Sequence, residues 1–245
     1  MKSFLILLAV GLTLSCLAQT TINKSIPSTG TQKIDMHFDY PKLIRVSSWD
    51  KNEVSITGTV SINGGESDNA FKLISNTNNA TLTISGEIEN IKSLPQRITV
   101  TRNGEKMTFK NKDEFNKYKE QHGEGFDMTN WGHDIEIVLD IKVPRDIATC
   151  IKSVYGIVEL KDLNQTKPLM AESTYGGVDA SVNTTTIGEL FATTDYGQIY
   201  TNLDLKFSGD HLKQKDFHTE VMAKPGNGTK YSFESKYGNV YLRKK

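Results

Sequence analysis

The chain has 245 residues, and its 29 Lys plus Arg match its 29 Asp plus Glu, so the formal net charge is zero. Nucleic acids and anionic membrane surfaces select a basic excess, and neither is expected as a partner here. Of the two cysteines, Cys16 lies in the leader, which leaves Cys150 alone and excludes an intrachain disulfide framework.

The first residues carry an export signal. Lys2 is the positive start, and Phe4 to Leu14 is an apolar run too short to span a bilayer. Cys16-Leu17-Ala18 places small residues at −3 and −1, so cleavage after Ala18 leaves Gln19 first. A lipoprotein signal acylated at Cys16 is the rival. It wants an apolar residue three positions earlier, where Thr13 stands, so plain export is favoured. The expected location is the periplasm, the outer-membrane surface or the extracellular space. No later run is long enough to cross a membrane. Cys150 then reads as a small buried apolar residue.

Residues 19–245 read as one all-β domain. Its first part, 19–143, is strand-rich with an insertion at 110–133, and its second part, 144–245, is a repeat. Val54, Ile56, Val60 and Ile62 alternate with Ser55, Thr57, Thr59 and Ser61, which places one apolar face on a strand. Phe71/Leu73 and Leu82/Ile84 repeat the pattern, with turns at Gly64-Gly65 and 76–79. Asn103-Gly104 suits a type I′ turn, which pairs Val100 with Met107 and Ile98 with Phe109. Charged residues 112–120, with Phe115 and Tyr118 at helical spacing, predict a short surface helix. A Gly-rich loop reaching Trp131 follows. Alternation then resumes at Ile135, Ile137, Leu139, Ile141 and Val143, and Pro144 ends that strand.

Four Ser/Thr-x-Tyr-Gly segments follow, with Tyr155-Gly156, Tyr175-Gly176, Tyr196-Gly197 and Tyr237-Gly238. A period near twenty predicts a solenoid, one coil per repeat. Four residues before each Tyr stand Ile151, Ala171, Ala192 and Phe233; two before stand Ser153, Ser173, Thr194 and Ser235. Continuous alternation would place these and the Tyr together on the inner face. Val158, Val178, Ile199 and Val240 lie three past each Tyr, so the strand must bend at the glycine, which takes positive φ freely. Stacked coils would set Tyr on Tyr at about 4.8 Å. Phe217 falls where a fifth copy is due, but Lys213, Lys215 and His218 break the pattern, so a loop is expected there.

These features resemble the exported bacterial putative-adhesin family, whose members carry β-solenoid repeats. The resemblance rests on the repeat, on the strand-Pro entry Ile141-Lys142-Val143-Pro144 and on the early alternating strands. The Tyr-Gly corner, where that family often has Ser-Gly, and the helical insertion depart from it. The resemblance implies an envelope or surface location and a right-handed β-helix or solenoid-like fold. It implies no catalytic residue and no ligand.

The five histidines show no H-x-x-x-H spacing, so no metal and no cofactor is expected. Asp179 and Asp195 occupy different repeat positions, and no Gly-x-Ser-x-Gly elbow or phosphate loop is present. The chain therefore reads as a non-enzyme: an adhesin-like binding or scaffold protein of the envelope or surface. A polysaccharide-degrading β-helix enzyme is the alternative. Tyr200 and Tyr241 share one repeat position that alternation points outward; with Trp131 they are the candidate surface for an envelope glycan or another surface protein.

Overall fold

A computed structural model describes residues 19–207 and 212–245. The export signal at 1–18, its Cys16 alternative and His211 lie outside the described residues. The described chain is all-β apart from one α-helix and two short 3-10 turns.

The chain opens with β1 (Thr20–Pro27), β2 (Lys33–Phe38), β3 (Leu43–Trp49), β4 (Glu53–Ile62), β5 (Phe71–Asn78) and β6 (Thr81–Ile88). The alternating residues Val54, Ile56, Val60 and Ile62 are all buried, as are Leu82 and Ile84. Residues 97–132 form a small separate layer. Here β7 (Arg97–Arg102) pairs antiparallel with β8 (Glu105–Phe109) and with β9 (Met128–Gly132), while α1 (Lys112–His122) packs on them. Val100 faces Met107 and Ile98 faces Phe109 across the Asn103-Gly104 turn, whose φ values are 52° and 80°, both positive as a type I′ turn requires. Asn111 caps α1 by accepting from the Glu114 N–H. Ile98, Val100, Phe109 and Phe115 make a core of their own. The expected solvated loop before Trp131 is thus partly the edge strand β9 of this layer.

The chain returns through β10 (Ile135–Pro144) and enters the repeat: β11 (Ala148–Ser153), β12 (Ile157–Leu160), β13 (Leu169–Ser173), β14 (Val178–Val182), β15 (Ile187–Thr194) and β16 (Ile199–Thr201). Last come β17 (Leu212–Lys215), β18 (His218–Ala223), β19 (Thr229–Ser235) and β20 (Val240–Lys244).

Two large sheets result. One runs β1-β4-β10-β3-β12-β14-β20-β16, the other β17-β18-β15-β19-β13-β11-β2-β6-β5. Their inner faces share a single apolar core that includes Ile34, Met36, Ile151 and Phe233 from one sheet and Ile44, Val158, Val178 and Leu242 from the other. Each such side chain, fully buried, contributes about 1.5–3 kcal/mol, which explains how the fold dispenses with disulfides.

Both sheets mix parallel and antiparallel pairs, so the uniform β-helix expected from the period is not what is observed. Within them, however, five strand–corner–strand units lie side by side in parallel register. They are β2/β3, β11/β12, β13/β14, β19/β20 and β15/β16, in that spatial order. The last repeat in sequence is therefore inserted between the third and the fourth. Among the described residues the long gap before it holds no extra coil: β17 and β18 form a hairpin, and β18 runs antiparallel along β15.

A candidate aromatic binding face

The repeat corner explains the site. Strands β11, β13, β15 and β19 end at Ser153, Ser173, Thr194 and Ser235, all buried. The next three or four residues turn the chain from one sheet to the other. Alternation holds only in extended chain, so it stops at the hydroxyl residue and does not reach the tyrosine. The tyrosines consequently point outward, with Tyr155, Tyr175, Tyr196 and Tyr237 exposed at 59%, 55%, 57% and 44%. This corrects the expectation that the tyrosine row is core. Ile151, Ala171, Ala192 and Phe233 do lie inside, at 0%.

The hydroxyl and glycine hold the corner. Gly156 N–H donates to Ser153 Oγ at 3.0 Å, Gly238 N–H to Ser235 Oγ at 2.9 Å and Gly197 N–H to Thr194 Oγ1 at 3.1 Å. Three of the four hydroxyls donate to the glycine carbonyl of the neighbouring unit: Ser173 to Gly156 at 2.8 Å, Ser235 to Gly176 at 2.8 Å, Thr194 to Gly238 at 2.9 Å. None of the four glycines has positive φ, contrary to the reason expected for them. The requirement is close approach: a Cβ on Gly238 would lie 1.6 Å from the Gly176 carbonyl oxygen, and one on Gly156 would lie 2.0 Å from that of Pro41.

The corner backbones also stay in register. Tyr175 N–H donates to the Val154 carbonyl at 2.8 Å, Tyr237 N–H to that of Thr174 at 2.9 Å and Tyr196 N–H to that of Lys236 at 2.9 Å. One ring is thereby set over the next at strand spacing. Tyr155 and Tyr175 stack with centroids 5.3 Å apart, Tyr175 and Tyr237 at 5.1 Å, and Tyr237 and Tyr196 at 5.1 Å, with interplanar angles of 7–13°.

Two rings missed in the sequence extend the row. Tyr40, half-buried at the β2/β3 corner, stacks on Tyr155 at 6.2 Å. The signal for it was present, since Phe38 aligns with Ser153, but Lys42 adds a residue before Ile44 and Pro41 replaces glycine. At the other end Phe217, on the β17–β18 turn, stacks on Tyr196 at 5.4 Å. It is a rung without being a repeat. Six rings thus form one ladder on the outside of the molecule. Beyond Tyr196 and Phe217 it runs into a recess of about 510 Å³, whose lining includes Phe207, Gln198 and Gln214.

Beside the ladder, the outer face of the second sheet carries Lys152, Glu172 and Glu234 in one lateral row. Lys152 pairs with Glu172 at 2.7 Å. The Glu234 carboxyl is pushed above the usual carboxylate range, first by partial removal from water and then by Glu172 and Asp195.

Tyr200 and Tyr241, opposite each other in β16 and β20, stack at 5.1 Å on the outer face of the first sheet. Tyr200 is exposed, its hydroxyl donates to Gln198 Oε1 at 2.6 Å, and the Arg243 guanidinium lies over Tyr241 at 5.2 Å. Trp131 is exposed too, but on edge strand β9 of the separate three-stranded sheet, so the structure does not join it to that pair.

Asp179 and Asp195 are also kept apart. Asp179, in β14, takes both nitrogens of a bidentate contact from Arg243 at 2.7 and 2.8 Å. Asp195, at a corner after β15, is paired with His218 at 2.9 Å. Among the described residues no group of His, Cys, Asp and Glu is placed to hold a metal ion, and no helix is long and apolar enough to cross a membrane. Cys150 is free and half-buried rather than fully enclosed; its burial raises the thiol pKa above the ordinary value.

No family model matches the chain, and no curated protein matches it in sequence. Among solved structures it is similar to one from Clostridium sporogenes described as a putative cell adhesion protein. That likeness has a TM-score of 0.52 at 10% identity and covers 93% of this chain and 100% of the other. A structure from Bacteroides fragilis, described as a putative adhesin, aligns over 93% of this chain and 98% of its own at 11% identity, with a TM-score of 0.22. The first likeness establishes a shared fold.

Proposed function

We propose that this is an exported, non-catalytic, adhesin-like protein that binds a component of the cell envelope or surface through its aromatic face, and that its parallel units act as a solenoid-like frame for that face. The observation that carries the reading is the six-ring ladder standing in solvent. Exposed aromatic surface in one continuous row is uncommon on a protein with no partner. The frame beneath it is stabilised by buried hydroxyls and apolar residues, so the rings are free to serve contact. The stacked Tyr200–Tyr241 pair offers a second, smaller platform of the same kind.

The adhesion description of the Clostridium sporogenes structure agrees with this reading, as do the leader-like first residues. The non-catalytic part is supported by the separation of Asp179 from Asp195, each held in its own ion pair. Envelope retention tests the reading. The wild type should sediment with isolated bacterial envelopes, and the triple variant Tyr155→Ser/Tyr175→Ser/Tyr237→Ser should lose about tenfold in affinity while remaining folded. Equal retention of the two would remove the ladder from function. Turnover in a polysaccharide screen would overturn the non-catalytic reading.

A further inference from the structure

The geometry of the ladder restricts what can lie on it. In the interior of the stack both faces of each ring are covered by neighbouring rings. A ligand therefore meets ring edges and phenol groups, and it must be long enough to cross several rungs. The rungs repeat at 5.1–5.4 Å from Tyr155 to Phe217. An extended peptide presents like side chains every two residues, roughly 6.6–6.8 Å, and loses register by the second rung. A polyproline helix repeats at roughly 9.3 Å and fits no better. In an extended β-1,4-linked glycan each sugar advances by close to one strand spacing and alternate sugars are flipped, so like parts recur every second sugar, in step with every second rung, and the register is kept along the row.

The flanks specify charge. Toward the first sheet the row two residues past the tyrosines carries Lys42 at the Tyr40 end and then Ile157, Gly177, Asn239 and Gln198, which are uncharged. Toward the second sheet Asp39 and Asp195 stand beside the ladder with Lys236, and Glu172 and Glu234 lie one row further with Lys152, which is paired to Glu172. A polyanion would face these carboxylates, whereas amides and phenols suit the hydroxyl groups of a neutral sugar.

We propose that the ladder from Tyr40 to Phe217 is a binding site for an uncharged, extended β-linked glycan lying along the row. The proposal rests on the reading of the aromatic face as a contact surface and names its ligand class.

Calorimetric titration of the mature chain with cellohexaose and chitohexaose, with cellobiose as the short control and oligogalacturonate as the anionic one, tests it. A neutral hexamer should bind, the disaccharide should bind at least about tenfold more weakly, and the anionic chain should not compete. The triple serine variant should lose binding by at least about tenfold, and the matching triple Phe variant, which keeps the rings and the stack, should lose less. Circular dichroism of both variants establishes that they are folded. The proposal is overturned if neither neutral hexamer binds, if oligogalacturonate binds as tightly, if the disaccharide equals the hexamer, or if the serine variant is unaffected. Ladder-dependent dimerisation without glycan binding, seen by sedimentation, also overturns it. If the purified glycans fail while envelope retention still depends on the tyrosines, the glycan assignment falls and the adhesin-like reading stands. If retention fails too, both fall.

Discussion

Ser173 and its equivalents join two units at once. Its hydroxyl donates to the Gly156 carbonyl, and the glycine one unit on sits where no Cβ fits. These contacts rank three substitutions. Gly238→Ala drives a methyl into the Gly176 carbonyl and should cost at least about 3 kcal/mol. Ser173→Ala removes a buried hydrogen bond and should cost about 1–3 kcal/mol. Tyr175→Ala removes two stacked neighbours of an exposed ring and should cost about 1–2 kcal/mol. Urea unfolding midpoints give the order, and a Tyr175→Ala variant less stable than Gly238→Ala would return the rings to the core. At this scale the sequence showed which hydroxyls and apolar residues are inside. It misplaced the tyrosines because side-chain parity was carried past Ser153 into a corner where the chain is no longer extended.

Elements were legible wherever a local rule acts alone. The Asn103-Gly104 turn imposes its register, and Phe115 and Tyr118 mark the face that α1 buries or half-buries. Strand β9 was not legible, since Met128 to Gly132 has no apolar alternation and is held only by pairing with β7. The order of the repeats was not legible either. A period shows that units are alike, which makes them interchangeable neighbours; it does not show which neighbours they take. Because β19 lies between β13 and β15, and β20 between β14 and β16, the last repeat is an internal layer. In a linear stack, losing a terminal repeat removes only its own share of stability. Here, truncation after Lys224 should abolish the cooperative thermal transition followed by circular dichroism. A truncated chain that still melts sharply, within a few degrees of the full chain, would contradict the observed order.

At the scale of the whole molecule, a chain of zero net charge presents one outer corner dominated by aromatic rings, beside faces laced with ion pairs such as Arg45–Glu159, Lys152–Glu172 and Arg243–Asp179. Surface pairs of this kind contribute little stability and chiefly keep those faces hydrated. The ladder is the part that water solvates least well and that a partner could cover with most gain. Tyr231 supplies an internal reference, being a core tyrosine at 3% exposure. Iodination of free and envelope-bound protein, read by peptide mass spectrometry, tests the central claim most directly. Tyr155, Tyr175, Tyr196 and Tyr237 should be modified in the free protein and protected when it is bound, with Tyr231 unmodified in both. Equal modification of the four ladder tyrosines in the free and bound states would contradict the account.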